Sequence, residues 1–201
     1  MKLLQRYAMA CAITMLPLAA SAQISLNKPA FQSSDYDVNH MAAKAVDGNT
    51  DGDFYHNSIT HTNADQNAYW YVDLGSTSSI GSIDVFNRTD GFGSRLNNFF
   101  VSVLAAGTPN VGSFTAPTVW SQFFSGTPFN EMLFTAPAGT QGRYVKIQFD
   151  HTDYLQLAEV TVNAAPGTPG TSTVPEPSSM ALLGTGLVGL VPMLRRSRRS
   201  A

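Results

Sequence analysis

His61, Arg88, Asp90 and Arg95 are the side chains of this 201-residue sequence whose types and spacing suggest chemistry. An arginine is a planar, permanently charged fork of donors. An imidazole can donate or accept near neutral pH. Two such forks and a ring nitrogen meeting at one point would grip the hydroxyl edge of a pyranose, whose other face asks for an apolar or aromatic surface. Two guanidiniums set close together repel, and a carboxylate two residues from Arg88 would offset that and fix the direction of the fork. The competing reading leaves Arg88 and Arg95 as surface turn charges and His61 as a loop residue satisfied locally.

A second polar run precedes these residues: Asp47-Gly48-Asn49-Thr50-Asp51-Gly52-Asp53. Asp47, Asn49 and Asp51 alternate along a glycine-bent turn, with Asp53 beyond. Three hard oxygen side chains closing on one point suit calcium. The run also begins like an EF-hand loop. Its twelfth position, however, is Ser58 rather than a bidentate glutamate, and no long amphipathic helix flanks it, so the EF-hand is rejected. A solvated acidic turn remains the plain alternative.

The elements that must hold these residues read as strands. Ile83 and Val85 share a face, as do Phe99, Val101 and Val103, and Val145, Ile147 and Phe149 alternate with Tyr144, Lys146 and Gln148. Val160 and Val162 close the series. Tyr69 to Gly75 and Thr118 to Phe123 add two aromatic strands. Turns are expected at Gly75-Ser76-Thr77, Asp90-Gly91, Gly107 to Asn110, Gly126 to Pro128 and Ala138-Gly139. One short helix is expected at His40 to Val46. Many short strands between Gly/Pro turns predict an all-β fold, a β-sandwich, and about 140 residues suffice for one such core.

Charge and the two ends narrow the setting. Between Gln23 and Thr173 six Lys/Arg face thirteen Asp/Glu, a net charge of −7. So acidic a body makes a poor nucleic-acid binder, because phosphate contacts need clustered cations. Residues 1–22 have the layout of a secretory signal peptide: a basic start, an apolar run and Ala20-Ser21-Ala22. The only cysteine, Cys11, lies inside it, so the exported chain would fold without disulfides. A domain is expected over 23–163 and a Pro/Gly/Thr linker over 164–173. The tail, 174–201, holds Pro175-Glu176-Pro177, the uncharged span 180–194 and the cluster Arg195-Arg196-Ser197-Arg198-Arg199. As a helix that span reaches about 22 Å, short of a bilayer core of ~30 Å unless flanking residues extend it. A weak single-pass anchor with its basic end inside is one reading. The whole arrangement resembles the PEP-CTERM sorting tail of Gram-negative bacteria, a likeness that implies recognition by an exosortase system.

The body carries a resemblance of its own. Asn27 to Ala30, Ala43 to Asn49, Tyr69 to Gly75, Arg143-Tyr144-Val145 and Leu157 to Val160 follow the order seen in discoidin-like, coagulation-factor C-type domains, which are jelly-roll β-sandwiches. Within that superfamily the chain resembles the F-type lectins, or fucolectins, which bind L-fucose. Their motif is His, 26 residues, Arg, any residue, Asp, four residues, then Arg or Lys, and His61, Arg88, Asp90 and Arg95 fit each separation. The resemblance implies that His61, Arg88 and Arg95 grip the 4-hydroxyl, the 3-hydroxyl and the ring oxygen of fucose. Phe54 and Tyr55 stand where that family places aromatics beside the fucose methyl, with Tyr36 a further candidate. Many F-type lectins set two adjacent cysteines after the motif aspartate; here Gly91-Phe92 stands there, and Phe92 either supplies the same apolar contact or points into the core. For the cation the likeness implies Ca2+ held by the side chains of Asp47, Ser58 and Glu159, by Asn49 in the loop, and by backbone carbonyls at Lys44 and Ala158.

These readings predict a calcium-supported, fucose-type lectin exported to the cell surface or extracellular matrix of a Gram-negative bacterium, its partners being fucosylated glycans and the sorting machinery. A discoidin-type adhesion module for another polysaccharide or a protein is the alternative. An enzyme is disfavoured. Asp90, Asp150, Asp153 and Glu159 lack the paired setting that glycoside hydrolysis needs, and no nucleophile elbow, zinc His pair or cysteine nucleophile occurs.

Overall fold

The computed structural model describes residues 21–110, 113–126 and 129–166. The signal-peptide reading over 1–22 therefore falls outside the described residues except at its last two positions. So do all but the first three linker residues, the tail 174–201 and its apolar span 180–194. Among the described residues no helix is long and apolar enough to cross a membrane.

Alternation of apolar and polar side chains is realised as an antiparallel sandwich. The strands are β1 (Ala30–Gln32), β2 (Ala64–Gln66), β3 (Tyr69–Phe86), β4 (Phe99–Leu104), β5 (Thr108–Asn110), β6 (Ser113–Thr115), β7 (Thr118–Phe124), β8 (Glu131–Thr135), β9 (Gln141–Phe149), β10 (Thr152–Tyr154) and β11 (Glu159–Ala164). One layer has the order β1-β3-β9-β4-β7; in the other, β11 and β8 flank β3. The strand β3 belongs to both. Its first half pairs with β1 and β9 (Trp70 opposite Ile147), and its second half with β11 and β8 (Val85 opposite Val160 and Met132).

Two expectations are corrected here. Gly75-Ser76-Thr77 is not a turn between strands. It is an irregularity inside β3, where the register to β9 shifts between Asp73 and Ser78 and Gly75 takes a φ of +87°. A strand that changes partners must bend, and the extra residues at the shift provide the bend. The segment Gly107 to Asn110 likewise enters a small hairpin, β5 against β6, rather than a simple turn.

Inward residues of both layers form one core. Trp70, Val72, Val101, Val103, Val145 and Ile147 come from one side, and Ile83, Val85, Phe134, Val160 and Val162 from the other. Burial of side chains this size stabilises by roughly 1.5–3 kcal/mol each. Trp70 also donates its indole N–H to the Ala42 carbonyl at 2.9 Å, which fastens the 3-10 turn Ala42–Val46 to the core. At the domain's margin Ile24 N–H donates to Val162 and Ala164 N–H donates to Ala22, so the entering chain runs beside the strand by which the chain leaves.

Candidate sugar-binding ring and neighbouring cation loop

The segments 33–41, 47–62, 87–98 and 150–158 connect the strands at one end of the sandwich. Two glycines let them close on one another. A Cβ at Gly52 would sit 2.7 Å from the Asn87 carbonyl, and the Gly52 carbonyl accepts from Thr89 N–H at 2.9 Å. A Cβ at Gly93 would sit 2.7 Å from the Arg88 carbonyl, and Asn87 Nδ2 donates to the Gly93 carbonyl at 3.0 Å. Only a residue without a side chain allows either approach. The first clamps the acidic loop to the Arg88 segment; the second folds the Arg95 turn back over it.

Six side chains then make a closed circuit of contacts. His61 meets the Phe54 ring edge-on (5.7 Å between centroids), and Phe54 lies under the Arg88 guanidinium at 4.7 Å. Arg88 covers one side of Phe92 at 4.8 Å, and Arg95 packs on the same ring at 4.6 Å. Arg95 lies over Tyr154 at 4.7 Å, and Tyr154 meets His61 at 5.4 Å. Two like charges are thereby brought against one electron-rich ring. Tyr36 packs on His61 at 4.3 Å. Phe92 therefore borders both arginines rather than pointing into the core. Tyr55, 80% exposed, touches Phe54 but stands outside the circuit.

The two arginines are held differently. Arg88 is buried and forms a two-pronged pair with Asp90, with Nε on Oδ1 and a terminal nitrogen on Oδ2 at 2.8 Å. Asp90 Oδ2 also accepts from Phe54 N–H at 3.1 Å. The hydrogen bonds from Arg88 hold the Asp90 carboxyl below its ordinary range. The guanidinium of Arg95 makes no hydrogen bond or ion pair among the described residues, so its donors remain for a ligand.

His61 departs from expectation. Its Nδ1–H donates to the Thr62 carbonyl at 2.7 Å, and Nε2 accepts from the Gln156 amide at 2.7 Å. The free ring nitrogen expected from sequence is thus occupied within the protein. Burial lowers the His61 pKa, and the nearby positive charges of Arg88 and Arg95 act in the same direction; both favour the neutral ring. Gln156, buried and with its Oε1 unpartnered, and Tyr154 are site neighbours the sequence reading missed. No motif marks them, because they reach His61 only through the folding of a segment more than ninety residues later.

The cation loop is also corrected in part. Asp47, Asn49, Asp51 and Asp53 do not converge as a side-chain cage. Each side-chain oxygen accepts from the N–H two residues on, at 2.9, 3.0, 3.0 and 2.9 Å in turn. This is a staircase of local turns that uses part of each group. Asp51 gives its other oxygen to His56 at 2.7 Å. Ser58 Oγ donates to the Asp53 carbonyl at 2.8 Å, Lys44 lies in the 3-10 turn before Asp47, and Ala158 N–H donates to Phe86.

What fits a cation is Glu159. It is buried, reaches Gly48 N–H at 3.3 Å with Oε2, and leaves Oε1 with no partner. Burial first, and then the charge of Asp47, push its carboxyl up to about 7. A buried carboxylate oxygen without a donor, beside a second carboxylate, is a set that a hard cation completes. Among the described residues no cluster of three or more His, Cys, Asp or Glu occurs, so further ligands would have to be carbonyl or hydroxyl oxygens.

Comparison with known proteins gives the family of the domain. Residues 44–147 match the family described as NedA-like, galactose-binding domain, of the F5/F8 type C group. The chain belongs to this family. Residues 173–199 match the PEP-CTERM protein-sorting motif. A fucolectin of the eel Anguilla anguilla is 32% identical over 129 residues, which cover 64% of this chain and 80% of that one. Among solved structures, a histidine mutant of the lectin binding domain of lectinolysin complexed with Lewis b is 36% identical with a TM-score of 0.65, over 73% of this chain and 99% of that one. A fucose binding module of Streptococcus pneumoniae is 32% identical with a TM-score of 0.64, over 72% and 98%. The names of these relatives and neighbours describe lectins and sugar-binding modules.

Proposed function

We propose that this domain is a calcium-supported lectin for L-fucose-type glycans, exported to the cell surface or exopolysaccharide matrix of a Gram-negative bacterium. One observation carries the reading: His61, Arg88 and Arg95 share one circuit, and among the described residues the Arg95 donors face no hydrogen-bond partner. Arg95, with the outer edge of Arg88, would take vicinal hydroxyls, and Phe92, Phe54 and Tyr36 would meet the apolar face of the ring. His61 would take part once Gln156 turns aside. Calcium, held by Asp47, Glu159 and neighbouring oxygens, would neutralise a buried carboxylate and tie the acidic loop to β11. The PEP-CTERM match supports handling by an exosortase-type system through the tail. One shallow site would bind weakly, and many copies on a surface would bind by avidity.

Titration calorimetry with L-fucose, with calcium and with chelator, tests the reading. Binding that weakens under chelation and disappears in the double variant Arg88→Ala, Arg95→Ala is expected. Binding of a glycan that survives that double variant would move the function to a discoidin-type adhesion surface.

A further inference from the structure

The outer face of the five-stranded layer carries a second constellation, partly a small buried cluster of Tyr71, Leu104 and Tyr144 with Tyr69 packed on it, and partly exposed rings. On β3, β9 and β4 the core takes Trp70, Val72, Val145, Ile147, Val101 and Val103, so the residues between them face away from the core. The strand registers align these outward residues in two rows. One row runs Tyr69, Gln148, Phe100, Phe123 across β3, β9, β4 and β7. The next runs Phe31, Tyr71, Lys146, Ser102, Ser121 from β1 to β7.

The rows place aromatic rings on both sides of one lysine. Phe31 stacks on Tyr71 at 5.0 Å with 22° between planes, and Tyr69 continues the stack with 26° to Tyr71. On the other side Phe100 packs against Phe123 at 4.8 Å. Phe31, Phe100 and Phe123 are 47%, 38% and 43% exposed, apolar area left open to water. Two interstrand spacings, about 10 Å, separate the ring groups, with β9 between them. Lys146 rises there, its Nζ 6.0 Å from the Tyr69 centroid. Among the described residues it has no ion pair and no hydrogen bond, and burial lowers its pKa. A partly desolvated cation without a counter-charge costs free energy that an anion would restore.

We propose that this face binds an acidic polysaccharide, with the carboxylate of a uronate on Lys146 and adjacent pyranose rings on the flanking aromatic groups. Pyranose faces carry C–H groups that pack on the exposed rings Phe31, Phe100 and Phe123, and in the same rows Gln148, whose Nε2 donates to the Asn67 carbonyl, keeps its Oε1 to accept from a hydroxyl. A second copy of the chain fits the face less well, because a twofold contact would bring two unpaired Lys146 residues toward one another between bodies of net charge −7. At physiological ionic strength that net charge is screened beyond about 8 Å, so the local cation decides.

The test uses the full chain and sodium polygalacturonate, with its methyl ester as the neutral control, in 0.15 M salt. Polygalacturonate is expected to bind and the ester not. Lys146→Gln should weaken binding about tenfold or more, the value of a lost hydrogen bond to a charged group. Phe100→Ser, on an exposed ring, should also weaken it, while Arg95→Ala and saturating L-fucose should leave it unchanged. The proposal falls if neither polymer binds, if the ester binds equally, if Lys146→Gln has no effect while its melting temperature matches the parent, or if L-fucose competes. It also falls if the chain binds anionic vesicles through Lys146 in preference to the polymer. The first-named ring could fail its own titration without touching this result, and the reverse.

Discussion

The circuit around Phe92 and the acidic loop beside Glu159 touch through Gly52, yet they are finished to different degrees. The circuit satisfies most of its own demands. Arg88 has Asp90, the two arginines pack against one aromatic ring, and His61 has Thr62 and Gln156. The loop spends its exposed oxygens on its own backbone and leaves the buried Glu159 Oε1 unmet. A site whose groups are mostly held by one another needs little rearrangement to meet a ligand, here the turning aside of Gln156 from His61. A site with an unmet buried group is completed by what it binds, and its contribution is to stability.

Breaking Arg88 should show the largest effect. Arg88→Ala would strand a nearly buried Asp90 and empty the space between Phe54 and Phe92. A loss of about 3 kcal/mol in unfolding free energy is expected, with fucose binding below detection by calorimetry. Calcium should act on the other partner in the comparison. Saturating calcium is expected to raise the melting temperature by about 5 °C, and Glu159→Gln to remove that shift. The pH dependence sharpens this. Without calcium the folded Glu159 carboxyl keeps its proton up to about 7 while the unfolded one loses it near 4.5, so stability falls as pH rises across that window. Bound calcium should flatten that slope in melting curves.

His61 should behave oppositely and more weakly. Its folded pKa is depressed below 6.5, so the unfolded chain takes up the proton first. The stabilising contribution is present above pH 6.5 and is lost as pH falls through the folded value. Sugar binding in calcium should decline over the same range, and His61→Gln should remove that portion of the profile. Tyr55→Ala should change neither binding nor melting measurably, since its ring lies outside the circuit and the site is a surface one.

The sequence showed the strands wherever alternation was strict, as at Phe99 to Val103 and Val145 to Phe149. It hid β3 because Gly75-Ser76-Thr77 has turn composition, and composition does not tell a bend within a strand from its end. It hid β8 because Met132, Leu133 and Phe134 are consecutive apolar residues with no visible period. The spacing of His61, Arg88, Asp90 and Arg95 located one side of the circuit. Tyr154 and Gln156 were invisible because long-range packing, not local pattern, brings them in. The acidic loop shows what spacing alone leaves open. An i, i+2 series of oxygens resembles a cage on paper, but the nearest donor to each is the amide two residues ahead.

The side-by-side entry and exit of the chain at Ala22 and Ala164 fixes how the domain can be presented. The strand β11 begins at Glu159, beside the acidic loop, and its six residues run about 20 Å to Ala164. Both ends of the domain therefore depart from the pole away from the arginines. Sequence fused beside Ala22 or Ala164 would therefore join the domain far from Phe92 and Arg95, and their surroundings should be unchanged by it.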